Sequence, residues 1–360
     1  MYNSQNIHYV ICLTGNGRYS KLLTRSGVNV SHLNISKNNF ISFFNIFKII
    51  RLFLDFKPSL VQSWMYHSDF ITVIIKLISN VNIFWGLRHS NVLIGKTTNF
   101  TYYIIKILSR LSYSIPQKII SCSLNGIKVH ACIGYDYYKM VYIPNGYNLI
   151  SNSHTSSEIL KFRSRIGITS FKNSITMVAR YNPQKDHDNL LVSFAKLLQI
   201  LPDTCCILAG PGMNDKNSTI STLLQYLNIQ DKVFLIDEIQ DVSLLFKSVD
   251  VSVLSSSFGE GFPNVVAESM LCSTPCVVTD IGDAPIVVNG CGWVVPHSNS
   301  DLLCKSIVDA LNEKNDHSIL WSERCLKSVE HIKENFSIHS TSQMFNVCWQ
   351  EKNYEHTYEF

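Results

Sequence analysis

The chain has 360 residues, enough for two domains of ordinary size that each bury a core, and its 46% hydrophobic against 16% charged residues exclude a disordered protein. The formal net charge of +4 hides a division: residues 1–150 carry 15 Lys/Arg against three acids, a net of +12, and the remainder carries 16 against 24, a net of −8. A basic first half implies an anionic partner; without clustered Lys/Arg interleaved with aromatics that partner is not nucleic acid, and an anionic membrane surface or a lipid-linked phosphate fits better.

The opening segment MYNSQNIHYVICL has no basic leader and no small-residue cleavage site, so it reads as the approach to a first strand and not as a signal peptide. Strands are predicted at 8–13, 28–35, 60–64, 82–88, 118–123 and 140–144, with helices near 18–26, 38–56, 67–79, 98–112 and 124–131. Alternation of this kind predicts a parallel sheet covered on both faces. Gly15 and Gly17 follow the first strand, but a lone GxG is weak and a simple turn explains it.

The helix at 38–56 places Ser42, Asn45, Lys48, Arg51 and Asp55 three or four residues apart, a narrow polar stripe on an apolar cylinder. Its charges exclude a membrane span. Two readings stand: a helix wedged between the sheet and a neighbour, or one partly inserted at a membrane interface beside the basic segment YYIIKILSR, 102–110.

IPNGYN, 143–148, reads as a hinge, because Pro144 ends a strand, Asn145-Gly146 makes a turn and a polar run follows. A second alternating unit then places strands at 175–179, 205–209, 233–236, 251–254, 275–278 and 292–295, and helices near 186–200, 217–227, 241–248, 264–272 and 300–312, before a helical tail at 318–352. The domain limits are therefore 1–147 and 148–335, with a C-terminal helix at 336–360. The eleven cysteines show no CxxC and no metal-ligand spacing, and several fall inside apolar strands, so reduced core thiols in a cytosolic protein are expected.

Two stretches carry chemistry. In MVARYNPQKDHDNLL, 177–191, Arg180 leaves the end of a buried strand, Lys185 lies in the following loop, and Asp186 is placed to cap the next helix. Two cations at the mouth of a sheet suit a departing diphosphate, whose developing charge they stabilise in advance. Asp186-His187-Asp188 reads as capping and not as a metal pair. In LSSSFGEGFPNVVAESMLCSTPCVVTDIGD, 254–283, a strand runs into a Ser/Gly loop and Pro263 takes the first helical position, leaving first-turn amides free for a phosphate. Glu260 precedes that helix and Glu268 lies about 7.5 Å along its axis from Pro263. The pair is wider than the roughly 5 Å of a retaining glycosidase. They read as grips on two ends of an extended ligand, Glu260 facing a reacting group and Glu268 a ribose diol; the plain alternative is two solvated glutamates. Gly210-Pro211-Gly212 is accounted for by a simple turn.

Glu260, Gly261, Phe262, Pro263 and Glu268, followed by PCVVTD and the Gly282-Asp283 turn, resemble the signature of the retaining glycosyltransferases of family 4, and Arg180 with Lys185 resembles that family's phosphate clamp. VQSWMYHSD, 61–69, and WGLRHS, 85–90, resemble a bacterial branch concerned with surface polysaccharide assembly. The resemblance implies the GT-B fold: α/β, two Rossmann-like domains facing a cleft, closed by C-terminal helices of which the last often crosses back to the first domain. It implies transfer of a sugar, with retention, from a UDP- or GDP-linked nucleotide sugar to a glycan or lipid-linked acceptor in O-antigen or capsule biosynthesis. The implied donor-binding residues are Arg180, Lys185, Gly261, Phe262, Pro263, Asn264 and Glu268. Glu260 and His89 are the implied catalytic residues, although a histidine at a strand end is also often structural, and Arg88 and His67 are lesser candidates. No metal and no cofactor are expected. The location is cytoplasmic, with peripheral contact at the inner face of the plasma membrane as one option. The departure is at the start, where HYVICLTGNG resembles the family's second strand and the usual first strand is missing from the match. An inactive nucleotide-sugar-binding remnant and a nucleotide-sugar epimerase on the same fold are the alternatives.

Overall fold

The computed structural model describes residues 7–15, 17, 19–35, 43–90, 99–148 and 154–350. Residues 38–42 of the predicted second helix, with its Ser42, and the end of the predicted tail lie outside them. Runs such as SITMV and TCCILA have no polar face because both sides of their sheet are covered by helices. In the second half β7 (Asn173–Val178), β8 (Thr204–Ala209), β9 (Val233–Ile236), β10 (Val251–Leu254), β11 (Cys276–Thr279) and β12 (Trp293–Val295) form one parallel six-stranded sheet in the order β12-β11-β10-β7-β8-β9. The order reverses between β7 and β10, the kind of switch point where ligands collect at strand C-termini in open α/β sheets.

The first half differs from the single sheet its sequence implies. Here β3 (Leu60–Gln62), β4 (Asn82–Leu87), β5 (Lys118–Ser121) and β6 (Met140–Tyr142) form a parallel four-stranded sheet. A separate parallel pair, β1 (Tyr9–Cys12) and β2 (Asn29–His32), reaches the rest through side chains. Leu33 and Ile35 pack with Ile49 and Phe53 of α2 (Phe43–Phe56) and Ile71 and Ile75 of α3 (Tyr66–Ile78). The strand predicted at 28–35 is correspondingly shorter, its last residues held by single bonds to the Cys12 and Leu13 carbonyls. Trp85 of β4 is fully buried, its indole N–H donating to Thr72 at 2.8 Å.

The helices between these strands are α1 (Ser20–Arg25), α4 (Asn99–Leu111), α5 (Leu124–Ile133), α7 (His187–Leu198), α8 (Ser218–Leu227), α9 (Val242–Lys247) and α10 (Asn264–Leu271). Two others were not anticipated. The run SNSHTSSE, read as a linker, starts α6 (Ser156–Arg165) through a capping box between Thr155 and Glu158. The five-residue α11 (Ala284–Val288) is too short to show a period.

The tail breaks where it meets the hinge. After α12 (Ser300–Asp316) and α13 (Ser318–Asn335) the chain runs extended for one step, with Tyr147 N–H donating to Phe336 O at 2.8 Å and Ile338 N–H to Tyr147 O at 2.9 Å. It then forms α14 (Ile338–Gln350), which buries Phe345 and Cys348 against Phe84, Ile120, Val141 and Ile143 of the first sheet. Gly146 is required here, because a Cβ at that position would lie 2.6 Å from Thr341 Oγ1 and 2.7 Å from Ile338 Cα of α14.

All eleven cysteines are free, most of them buried, and burial pushes the Cys205 and Cys276 thiols up to about 12, which leaves them unreactive. Buried His130 is likewise held neutral: Nδ1–H donates to Gly126 O at 2.7 Å, so Nε2 accepts from Tyr66 Oη at 2.8 Å. Burial pushes its pKa down to about 4. Between that value and the ordinary imidazole value the unfolded chain binds a proton that the folded chain does not, so this contribution to stability is present at neutral pH and lost as the pH falls. A His130→Gln variant compared with the wild type in urea melts should therefore lose its disadvantage on acidification, by about 2 kcal/mol between pH 7 and pH 5.

Candidate active site

The second domain builds its half of the site from loops at the C-terminal ends of β7 and β10. Past β7 the chain turns through Arg180 and Tyr181 and makes a short 3₁₀ turn at Pro183–Lys185, opened by Asn182 Oδ1 accepting from Gln184 N–H. Asp186 follows in a left-handed conformation, φ 51°, and its carboxylate accepts from Asn189 N–H at the start of α7. The three serines after β10 hold this loop. Ser255 Oγ donates to the Lys185 and Asp186 carbonyls, Ser257 N–H donates to Gln184 O, and Ser256 Oγ donates to Glu260 Oε1 at 2.5 Å.

Lys185 Nζ meets the same carboxylate oxygen at 2.5 Å. Glu260 is buried, at 6% exposure, so its charge is offset by one ammonium and one hydroxyl instead of water. Gly282 backs this residue in a left-handed conformation, φ 64°, with the place of its missing Cβ only 2.2 Å from the Glu260 carbonyl oxygen. The Gly210-Pro211-Gly212 turn braces Arg180 from behind: Tyr181 N–H donates to Pro211 O, and a Cβ on Gly210 would lie 2.4 Å from Ala179 O.

Arg88, His89, Arg180, Gln184, Lys185 and the Gly259–Phe262 loop line a cleft of about 410 Å³ between the domains. A larger hollow of about 510 Å³ lies along the outer edge strand β9, away from the strand ends where the charged groups gather. The first domain supplies Arg88, whose guanidinium lies over the Trp64 ring at 4.4 Å and donates to Asn145 Oδ1, and His89, which keeps contact with solvent. The His89 imidazole is pushed below its ordinary value by partial burial and then by the Arg180 charge, with Glu260 opposing. His187, beside Lys185, is buried and pushed down to about 4 by burial and by that lysine. Both imidazoles are therefore neutral at neutral pH, and the cleft's positive charge comes from Arg88, Arg180 and Lys185 against the single carboxylate of Glu260.

The structure thus brings Arg180, Lys185, Glu260, Gly261, Phe262 and His89 together around one space. Pro263 is buried directly behind them, but as the N-cap of α10, one position earlier than its sequence pattern implies; its φ of −80° fits either place while its ψ of 93° is not helical. Asn264 turns toward the hinge, its Oδ1 accepting from Asn145 Nδ2 at 2.7 Å and Tyr147 Oη at 2.6 Å. Glu268 is on an exposed side of α10 and is not part of the cleft lining; burial, then the Glu268 charge, raises the Tyr147 phenol. His67 lies on α3 against Phe100, away from the lining. Gln184, Asn145, Tyr147 and Ser256 have no distinguishing residue pattern in the sequence, and only the fold shows their part. Among the described residues no group of three or more His, Cys, Asp or Glu side chains converges to hold a metal ion.

Two Rossmann-like units with a cleft between them and a returning terminal helix define the GT-B fold. The chain superposes on Anabaena HepE, solved in complex with UDP, with a TM-score of 0.80 at 18% identity over 94% of this chain and 90% of that one; further structures of that protein hold UDP with glucose and UDP-glucose. Residues 158–324 match the model of the family described as glycosyl transferases group 1. Curated relatives include an N-acetyl-alpha-D-glucosaminyl L-malate synthase of Bacillus anthracis, 25% identical over 44% of this chain and 39% of that protein. Another is a UDP-Gal:alpha-D-GlcNAc-diphosphoundecaprenol alpha-1,3-galactosyltransferase of Escherichia coli, 26% identical over 54% of this chain and 50% of that protein. The matches to curated relatives span between 15% and 54% of those proteins' lengths.

Replacing Gly282 by Ala should destabilise the second domain by about 2 kcal/mol or more in denaturant melts, because the methyl group meets the Glu260 carbonyl and the backbone there is left-handed. A variant as stable as the wild type would show that the Glu260 loop is free to move away from the Gly282 turn.

Proposed function

We propose that the protein is a retaining glycosyltransferase of family 4 that moves a sugar from a UDP- or GDP-linked donor to a glycan or lipid-linked acceptor in the assembly of a surface polysaccharide, O-antigen or capsule. The observation that carries this reading is the convergence of Arg180, Lys185 and the Glu260–Phe262 loop on one interdomain cleft at the C-terminal ends of β7 and β10. A diphosphate leaving group carries away the electron pair of the sugar–oxygen bond, and fixed cations in a partly desolvated cleft stabilise that charge without reorganising. Arg180 and Lys185 take the diphosphate, with the amides at the start of α10 alongside. Glu260 holds sugar hydroxyls near the reacting carbon, neutral His89 faces them from the first domain, and Glu268 takes the ribose. The names of the Escherichia coli and Bacillus anthracis relatives support a sugar-transfer reaction. The chemistry calls for no metal and no cofactor, since side chains alone can balance the phosphate charge.

Incubation with a panel of nucleotide sugars, with and without a membrane lipid extract, should release nucleoside diphosphate in an acceptor-dependent way, with the anomeric configuration retained in the product's NMR spectrum. Lys185→Ala should weaken UDP or GDP binding about tenfold to a hundredfold. Glu260→Gln should keep nucleotide affinity within a few-fold while turnover falls about a hundredfold or more. Turnover of a free donor into its epimer without acceptor would favour the epimerase reading, and nucleotide binding without transfer to any acceptor would favour the remnant.

The acceptor side is proposed to work at the cytoplasmic face of an anionic membrane. On α4, Phe100, Tyr103 and Ile107 are exposed at spacings of three and four, flanked by Lys106 and Arg110, a stripe suited to shallow insertion with charge at the phosphate level. No helix among the described residues is long and apolar enough to cross a membrane. Vesicles rich in phosphatidylglycerol should pellet the protein, and Tyr103→Ser with Ile107→Ser should lower the bound fraction severalfold; equal pelleting by the double variant removes this surface from the reading.

A further inference from the structure

The first turn of α5 is capped by two different domains. Ser123, its own N-cap, accepts from Gly126 N–H at 2.7 Å, which leaves the Leu124 and Asn125 amides without a local partner. Both are taken by one carboxylate of the opposite domain: Leu124 N–H donates to Asp283 Oδ2 at 2.7 Å and Asn125 N–H to Asp283 Oδ1 at 2.9 Å. Asp283 is 0% exposed, so its carboxylate is withdrawn from bulk solvent. Its negative charge also lies at the positive end of the α5 dipole.

The same residue is bonded to the Glu260 loop. Asp283 N–H donates to Gly261 O at 3.1 Å, and its neighbour Gly282 packs against the Glu260 backbone. From the first domain Ser90 Oγ donates to the Glu260 carbonyl, and Ser123 and Arg88 lie close against Gly261. The loop that carries the proposed reacting carboxylate is therefore located by two contacts in series, one within its own domain and one across the cleft.

We infer that Asp283 is a positioning residue that joins the closed arrangement of the two domains to the placement of Glu260, by completing the cap of α5 only when the cleft is shut. The inference rests on the transfer reading for its effect on turnover, while its effect on domain arrangement stands alone. When the domains part, two helix amides and a buried carboxylate lose one another at once, so closure is held by a contact that neither domain can satisfy internally. The carboxylate bonds are to first-domain amides, and the backbone N–H that Asp283 gives to Gly261 remains in an Asp283→Ala chain, so Arg180 and Lys185 keep their places.

The test uses the full chain with Asp283→Ala and, from the other side, Leu124→Pro. Proline removes the Leu124 donor at the first helical position, where the ring is tolerated, and Ser123 before it already has the extended conformation a proline requires, φ −141°, ψ 142°. Small-angle X-ray scattering should show both variants with a larger radius of gyration than the wild type. Titration with UDP and GDP should show affinities within about twofold of the wild type. Transfer should fall about tenfold or more, and the share of donor lost to water should rise as the cleft opens.

Both variants scattering like the wild type and transferring at its rate would overturn the inference. So would a fall in nucleotide affinity matching the fall in transfer, since Asp283 would then be acting on the donor site within its own domain. A wild type that binds neither nucleotide would remove the functional reading while the scattering comparison still decides the clasp.

Discussion

The site depends on one largely buried ion pair, Lys185 on Glu260, whose two residues both stand on loops of the second domain. Glu260 is lifted from water by the fold and finds its partners in Lys185 and Ser256, while Ser255 and Ser257 fasten the loop from which Lys185 extends. Removing either partner of such a pair leaves an uncompensated charge in a poorly solvated place. The Ser-Ser-Ser run after β10 is therefore not loop filler; each residue makes a different bond, and together they bring the end of β7 to the end of β10.

Around that pair the molecule sorts its charges by domain. The first domain brings a guanidinium, fixed over Trp64 and by Asn145, and the second brings Arg180 and Lys185. Of the histidines nearby, His187 is pushed down to about 4 by burial and by Lys185, and His89 is pushed below its ordinary value by partial burial and by Arg180, so both carry less positive charge near neutral pH than a free imidazole. A cleft with this balance favours an anionic ligand before any specific contact is made.

Much of the second domain was legible because its strands are covered on both faces and read as unbroken apolar runs, and because its loops carry Gly, Pro and Asp at the turns. The Arg180–Lys185 and Glu260–Pro263 segments stood out because each puts charge in the loop that follows a buried strand. The first domain was less legible, since among the described residues β1 and β2 pair only with each other and their side chains, not their hydrogen bonds, tie them to α2 and α3. The start of α6 was overlooked although Thr155 and Glu158 form a recognisable cap, because the polar composition around them matched a linker equally well. Asn264 and Asp283 show a different limit. Asn264 bonds a residue 119 positions earlier and Asp283 bonds amides 158 and 159 positions earlier. A side chain whose partner lies so far along the chain leaves no mark of that bond in local pattern.

The chain passes between the domains near Tyr147 and returns near Ser337, and these two passages are hydrogen-bonded to each other side by side. Sliding one domain past the other would break that ladder, whereas swinging about the line it defines would not. A swing about that line keeps both bonds, and Phe262, stacked on Tyr147 and edge-on to Phe336, sits close to it, where a given swing displaces it least.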